Sequence, residues 1–182
     1  MMETFTREKP FVFNPGYLQD RLDTITALDL KSIDKPIVDI VAALAELAHC
    51  FPLQSCCGHF VCRPGQGLHT LEPIAEGFAG PVRYRIAYVA LCIENSRPGR
   101  ALRESLAEIP EIDSACIQFG SADWFWKQFP NSYVLQVEPA DYQEKDEATL
   151  EASEAIHLQV VRDQFFDELR NVLRRHLAIH QK

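Results

Sequence analysis

Apolar residues recur at helical spacing in two long stretches of the chain, one from Pro36 to Cys50 and one from about Ala148 to Ile179. Residues three and four positions apart lie on one face of a helix, so each stretch predicts an amphipathic helix. Pro36 suits the first turn of the earlier one. A shorter helix is predicted from Tyr17 to Leu30. The apolar positions are Ile37, Ile40, Val41, Leu44, Leu47 and Ala48 in the first stretch, and Leu158, Val161, Phe165, Leu169, Val172 and Leu173 in the second.

A second pattern, alternation followed by a wholly apolar run, marks Val82–Ile93 as a central strand. Shorter strands are predicted at Leu53–Cys62, 113–120 and 131–139, with a helix beginning near Pro98. The segment Arg63–Pro81 is rich in glycine and proline and predicts a loop, and the acidic residues 138–149 predict a second loop. Together these elements predict one α/β domain over residues 1–182. Its sheet is mixed or mostly antiparallel, is covered by helices, and is followed by a long C-terminal helix.

Composition narrows the class of protein. The chain has 182 residues, of which 47% are hydrophobic, and this is typical of a packed globular protein rather than a disordered one. No apolar run reaches the ~18 residues that span a bilayer, and we expect no secretory leader, so we predict a cytoplasmic protein without a membrane partner. The net charge of −8 disfavours a nucleic-acid partner, because phosphate contacts need a basic surface. Oligomeric state is not indicated.

The most unusual segment is PLQSCCGHF, residues 52–60. On a regular strand, Ser55, Cys57 and His59 would share one face, with Cys56 and Phe60 on the other. We therefore predict that the first three line a cleft closed by the Arg63–Pro81 loop, while Cys56 and Phe60 enter the core. In this interpretation Cys57 and His59 supply polar or acid–base chemistry.

In the same interpretation Ser55 and Gly58 bind a small-molecule ligand, and Gly58 permits a bend that a side chain would forbid. A thiolate–imidazolium pair would need such a bend to bring Cys57 and His59 together. A disulfide between adjacent cysteines would be strained, and in a reducing compartment we expect free thiols.

Zinc is the alternative for this segment. The available ligands are Cys50, Cys56, Cys57, His59 and Cys62, with His49 and His69 nearby. Zinc takes four such ligands in a tetrahedron, but the usual two pairs of knuckle-spaced cysteines are absent. A zinc-binding structural or interaction module therefore stays open beside the enzyme hypothesis, with buried structural cysteines as the simplest explanation for some of the sulfur.

Polar residues also occur within or just after later apolar strands. They are Glu94, Ser96, Gln118 and Gln136, and a buried amide or carboxylate needs a partner. If their strands are neighbours, these four would line one rim of a ligand site. The competing explanation is that each caps the end of its own strand.

The segment from Lys31 to Phe60 resembles the wybutosine-synthesis tRNA methyltransferases. Members of that family carry a serine and an aspartate ahead of a helix, then an extended Ser-Ser-Cys-Ser-Gly-Arg segment. Here Ser32 and Asp34 precede the helix, and Ser55, Cys56 and Gly58 match the core of the motif. Gln54, Cys57 and His59 stand where the family has serine, serine and arginine.

The resemblance implies an α/β fold, an S-adenosylmethionine site and methyl transfer, with tRNA as the substrate. The net charge of −8 disfavours that last implication.

Overall fold

An antiparallel sheet of five strands forms the centre of the molecule, which is a computed structural model describing residues 9–139 and 146–180. The strands are β1 (Cys50–Val61), β2 (Val82–Ile93), β3 (Ile117–Ser121), β4 (Ser132–Val137) and β5 (Glu147–Leu150). Their order is β1-β2-β4-β3, and β5 pairs with the first half of β2. β1 is therefore an edge strand. The predicted α/β domain with an antiparallel sheet is confirmed.

Five α-helices accompany the sheet within the described residues. They are α1 (Tyr17–Ala27), α2 (Val38–Glu46), α3 (Arg97–Ala107), α4 (Asp123–Trp126) and α5 (Ala152–His180). Helix α2 is shorter than the predicted Pro36–Cys50. Pro36 lies in a separate 3₁₀ turn, Lys35–Ile37, and β1 already begins at Cys50.

The main hydrophobic core lies between one face of the sheet and helices α2, α3 and α5. The predicted apolar stripe of α5 is buried there, and Phe165 at its middle is fully enclosed. A smaller cluster of Tyr17, Phe51 and Cys92 packs α1 against the opposite face. The long C-terminal helix thus stabilises the sheet by burying apolar area along most of its length.

The start of that helix was predicted too early. Residues 147–150, assigned to the helix or to the acidic loop, form β5 instead, because their backbone pairs with Val82–Arg85 of β2. Glu147 also forms an ion pair with Arg83 across the two strands. Residues 140–145 of the predicted acidic loop, and residues 1–8, lie outside the described residues.

Across residues 9–139 and 146–180, none of the helices combines the length and the apolar character needed to cross a bilayer.

Candidate functional site

Gly58 interrupts the alternation of side chains along β1. Its φ of +77° is a left-handed conformation that favours glycine. On a regular strand Cys57 and Phe60 would point to opposite faces, yet both belong to the main core. Cys57 pairs with Ala87 and Phe60 with Tyr84 of β2, while His59 pairs with Arg85. The glycine therefore shifts the phase of the strand by one residue.

This shift corrects the predicted arrangement of the PLQSCCGHF segment. Ser55 and Cys57 pair with the core residues Val89 and Ala87, as expected for two side chains on one face. His59 leaves that face. Phe60 enters the main core as predicted, but Cys56 is buried on the opposite face, across from Tyr88. The prediction assumed that side chains alternate strictly along the strand, and it gave the wrong face for His59 because the left-handed backbone at Gly58 interrupts that alternation.

Asp34 closes the outer edge of β1. Its Oδ2 accepts a hydrogen bond of 2.9 Å from the backbone N–H of Cys57, a group that faces away from β2. The 3₁₀ turns on either side of Asp34 hold it beside the strand. One atom each from Asp34, Cys57 and His59 lie within 4.8 Å of one another. Asp34 was not among the predicted site residues, although it follows Ser32 in the segment that resembles the methyltransferases.

His59 is fully buried, with 0% of its surface exposed. Its Nδ1 lies 3.0 Å from the carbonyl oxygen of Thr70, and its ring meets that of His69 edge to face. A carbonyl oxygen only accepts, so Nδ1 carries a hydrogen. The loop 63–81 therefore does cover this residue, as predicted.

The other ring nitrogen of His59 makes no hydrogen bond within the described residues. Oδ2 of Asp34 lies 3.5 Å from it. A neutral imidazole with a hydrogen on Nδ1 presents a lone pair at Nε2, and the carboxylate also presents lone pairs. Two acceptors thus face each other at 3.5 Å, His59 buried and Asp34 partly exposed, and a cation or a donor group between them would satisfy both.

A pocket of about 320 Å³ opens beside this cluster. It lies between β1, the turn before α2, the covering loop and the polar face of α5. Its lining residues are Pro36, Cys57, Gly58, Leu71, Arg162, Asp163, Phe166, Asp167 and Arg170. Ser55 and His59, which were predicted to line a cleft, are absent from that lining, whereas Cys57 and Gly58 are present.

Arg162 attaches α5 to β1 at the pocket wall. Its guanidinium lies over the ring of Phe60 and donates to the carbonyl oxygen of Gly58 at 3.2 Å. Arg170, two turns further along α5, pairs with Asp39 of α2 at 2.7 Å. Neither arginine was predicted as a site residue, because the sequence does not show that this charged face of α5 lies against β1 and α2.

The thiol of Cys57 is held in its neutral form. Burial raises its pKa far above the usual range, and the nearby carboxylate of Asp34 raises it further. The thiolate is the nucleophilic form of cysteine, so this residue acts as a neutral polar group rather than as a nucleophile. The six cysteines are all free, as predicted.

The predicted zinc ligands are not brought together as a set. Within the described residues, only Cys57 and His59 of that set share a group of ligand atoms, and their third member is Asp34. Cys50 lies in the core beside the carbonyl oxygen of Leu44, its thiol donating at 3.4 Å. Cys56 lies on the opposite face from Cys57.

Glu94 and Ser96 lie at the far end of β2 from the pocket. Ser96 caps α3, its hydroxyl accepting from the N–H of Gly99 at 3.3 Å. Gln136 pairs with Tyr88 of β2. Glu94 lies six residues after Tyr88, a distance of roughly 20 Å along a strand. The structure therefore does not bring Glu94 and Ser96 to the same place as the two glutamines.

Gln118 and Gln136 are direct neighbours on adjacent strands. With Cys56 and Tyr88 they form a row that crosses β1, β2, β4 and β3 on the face opposite the main core. Gln136 is 1% exposed, and within the described residues its Nε2 has no hydrogen-bond partner. The predicted rim thus exists for the two glutamines only, on the other face of the sheet from Cys57.

Comparison with known proteins identifies no family for this chain. No family model and no curated protein matches the chain. Among solved structures, the PH1069 protein from Pyrococcus horikoshii is 8% identical with a TM-score of 0.49, and 88% of this chain and 96% of that one are covered. A hypothetical protein from Aeropyrum pernix is 13% identical with a TM-score of 0.43, and 78% of this chain and 98% of that one are covered.

Proposed function

We propose that this protein is an enzyme that binds a small molecule in the pocket beside Asp34, Cys57 and His59, and that it is related to the S-adenosylmethionine-dependent methyltransferases of wybutosine synthesis. The observation that carries the proposal is the buried Nε2 of His59 facing the carboxylate of Asp34 at 3.5 Å. Such a pair is costly for a fold to keep without a use, since unsatisfied buried polar atoms cost roughly 1–3 kcal/mol each.

The contact between Asp34 and Cys57 supports the resemblance. In the sequence the two parts of the family pattern are separate, one before α2 and one within β1. In the fold they meet directly, because the Asp34 carboxylate accepts the N–H of Cys57. Two segments that resemble one family and also build one site are more informative than either segment alone.

The charges of the pocket suit S-adenosylmethionine. That molecule carries an ammonium, a carboxylate and a sulfonium, and when bound it would supply an activated methyl group. The pocket wall carries guanidinium groups and carboxylates that already pair with each other, Arg162 with Asp163 and Arg170 with Asp167, and a ligand with charges of both signs could exchange with these exposed pairs. Its volume of about 320 Å³ is at the lower end of the range for ligand sites.

Within this proposal each residue of the cluster has a defined task. Asp34 orients the edge of β1 and faces Nε2 of His59. The carbonyl oxygen of Thr70 fixes the His59 imidazole through its Nδ1, which directs Nε2 toward Asp34. Cys57 and Gly58 form the wall that the ligand contacts. tRNA is the substrate that the resemblance implies, and the overall charge of −8 argues against it.

A thermal-shift titration with S-adenosylmethionine tests the proposal. Ligand that binds only the native state raises the melting temperature, by about 5–10 °C at a hundredfold excess over Kd for a chain of this size. Asp34→Asn should abolish the shift, because it removes the negative charge while the amide oxygen can still accept from the N–H of Cys57. Asp23→Asn, at an exposed position on α1, is the matched control and should behave like the unaltered protein.

A folded protein whose melting temperature is unchanged at millimolar S-adenosylmethionine would contradict the cofactor part of the proposal. Equal shifts in the Asp34 and Asp23 variants would contradict the location of the site.

A metal ion is the second candidate for the same cluster, and the facing lone pairs of Asp34 and His59 favour it too. Asp, Cys and His are ordinary zinc ligands, and Thr70 would orient the imidazole from behind. Protein purified without chelator should then hold close to one equivalent of zinc that Asp34→Asn removes. Metal-free protein with an unchanged melting temperature would contradict this candidate and leave the ligand-binding proposal intact.

A further inference from the structure

A second group of metal-type side chains lies on the other edge of the sheet, near β3. It consists of Asp113, Cys116 and His157, and one atom from each lies within 4.8 Å of the others. We propose that these residues, with water or Glu154 in the fourth position, form a binding site for a zinc-type divalent ion that joins the start of β3 to the first turns of α5.

The spacing of the donor atoms is close to what a tetrahedral ion needs. Zinc binds thiolate, imidazole and carboxylate ligands at 2.0–2.3 Å, so its ligand atoms lie about 3.5 Å apart. Nε2 of His157 is already 3.0 Å from Oδ2 of Asp113. The two atoms need to separate by only a few tenths of an ångström to admit the ion, and the exposed side chain of His157 is free to make that movement.

The carboxylate of Asp113 is held in the orientation that such a site requires. Its Oδ1 accepts hydrogen bonds from the backbone N–H groups of Ala115 and Cys116, at 3.0 and 3.1 Å. This leaves Oδ2 directed toward His157. Backbone donors that fix one oxygen of a carboxylate while the other binds metal are a common feature of metal centres.

Glu154 could supply a fourth donor after a change of rotamer. It lies one turn before His157 on α5, and residues three apart on a helix share a face. Its carboxylate is outside the three ligand atoms that lie within 4.8 Å of one another, so the fourth position belongs to water unless the Glu154 side chain turns toward the ion. On binding, the ion replaces the proton of the Cys116 thiol, which passes to solvent, and no change of oxidation state is involved.

The spacing of these residues in the sequence resembles that of a zinc site, but with carboxylates among the ligands. Asp113 and Cys116 are separated by two residues, and so are Glu154 and His157. Two such pairs, distant in the chain, are the spacing expected of a zinc site, although carboxylates replace two of the usual cysteines and histidines. A search confined to cysteine and histidine pairs does not find it.

Access and rigidity both suit a metal site. Cys116 is nearly buried, while the His157 side chain is 61% exposed, so an ion reaches the thiol from solvent past the imidazole. The ligands come from a loop and from the long helix α5, both held by the main core. The ion would therefore bind a preformed site and would not be needed for folding.

Cobalt(II) titration of the untagged, chelator-treated full chain tests the proposal. Cobalt bound to a thiolate gives a near-ultraviolet charge-transfer band, which should saturate at one equivalent and disappear when zinc is added. His157→Ala and Cys116→Ser should each weaken binding at least tenfold. His157 is exposed, so its replacement leaves the fold intact, which circular dichroism verifies.

Two control variants show which thiol produces the charge-transfer band. Cys62→Ser removes a half-exposed thiol outside both clusters, and Cys57→Ser removes the thiol of the pocket cluster. Both should keep the band. A band lost only in Cys57→Ser, a band unaffected by His157→Ala, or a folded protein that gives no band would each overturn the proposal.

Discussion

Gly58 is the residue on which the geometry of the candidate site depends. A Cβ at this position would lie 2.8 Å from the Cβ of Ala87 and 3.2 Å from the Cδ of Arg162, and φ is +77°. Both the backbone conformation and the close packing therefore require glycine. Without the phase shift that it introduces, Cys57 and Phe60 would not both face the main core, and His59 would not lie beside Asp34.

Gly58→Ala should destabilise the protein by about 2–6 kcal/mol, since backbone strain and overpacking each cost roughly 1–3 kcal/mol. Gly65→Ala is a matched control: φ is +83° there, but nothing lies within 4 Å of the added Cβ. Urea denaturation of the two variants separates conformational strain from packing. Equal losses in the free energy of unfolding would show that the contacts with Ala87 and Arg162 are unimportant.

At this scale the sequence predicted some features and missed others. That Cys57 and His59 belong to one site, and that the loop after them covers it, followed from the local pattern. The face of His59 did not follow, because one positive φ reverses every later side chain of the strand. Asp34 and Arg162 come from distant parts of the chain, and only the packing of the turn before α2 and of helix α5 against the edge of β1 brings them to the site.

The long helix α5 is the element whose burial matters most. Phe165→Ala should cost about 3–5 kcal/mol in the free energy of unfolding, because the ring is fully enclosed and its removal leaves a cavity. Val160→Ala, on the half-exposed side of the same helix, should change stability by about 0.5 kcal/mol or less. A loss below about 1 kcal/mol at Phe165 would contradict the packing of this helix on the sheet.

The ion pair between Asp39 of α2 and Arg170 of α5 links two elements at the pocket. The hydrogen bond from Arg170 lowers the pKa of the Asp39 carboxyl below its usual 3.8. The stabilisation is therefore complete above that value and is lost as the pH falls through the lower pKa of the folded state. Both side chains are partly exposed, so the effect should be below about 1 kcal/mol.

Chemical denaturation of Asp39→Asn at several pH values tests this link. The variant should be less stable than the unaltered protein at pH 7, and the difference should vanish in acid. Asp23→Asn should show no such convergence. A difference that persists below the pKa of the folded carboxyl would mean that Asp39 contributes through packing rather than charge.

Strand β5 is an element that the sequence did not predict. Its four residues, Glu147–Leu150, are too short to display alternation and follow an acidic stretch. They become a strand because β2 is longer than β4 and leaves its first residues unpaired. The helices and long strands were predictable because each carries several turns or several alternations of its own pattern.

For the whole molecule, the six cysteines predict a distinct pattern of reactivity. Five are buried and only Cys62 is half-exposed. Burial raises the pKa of Cys50 to about 12 and, together with Asp113, that of Cys116 to about 11. Ellman's reagent should therefore label one thiol rapidly in the native protein and all six after denaturation. The fast phase should vanish in Cys62→Ser, and its persistence there would contradict the burial of the other five.

The position of β1 at the edge of the sheet has a consequence for solubility. An edge strand of twelve residues offers a row of unpaired backbone groups to any other extended chain, a known route to aggregation. The side chain of Asp34 accepts a hydrogen bond from the N–H of Cys57, and that of Gln66 accepts one from the N–H of Cys62, just beyond the strand. The carboxylate proposed to serve the site thus also protects the strand from pairing with a second molecule. Replacing Asp34 with alanine should increase self-association as well as abolish ligand binding, and light scattering would measure the first effect separately from the second.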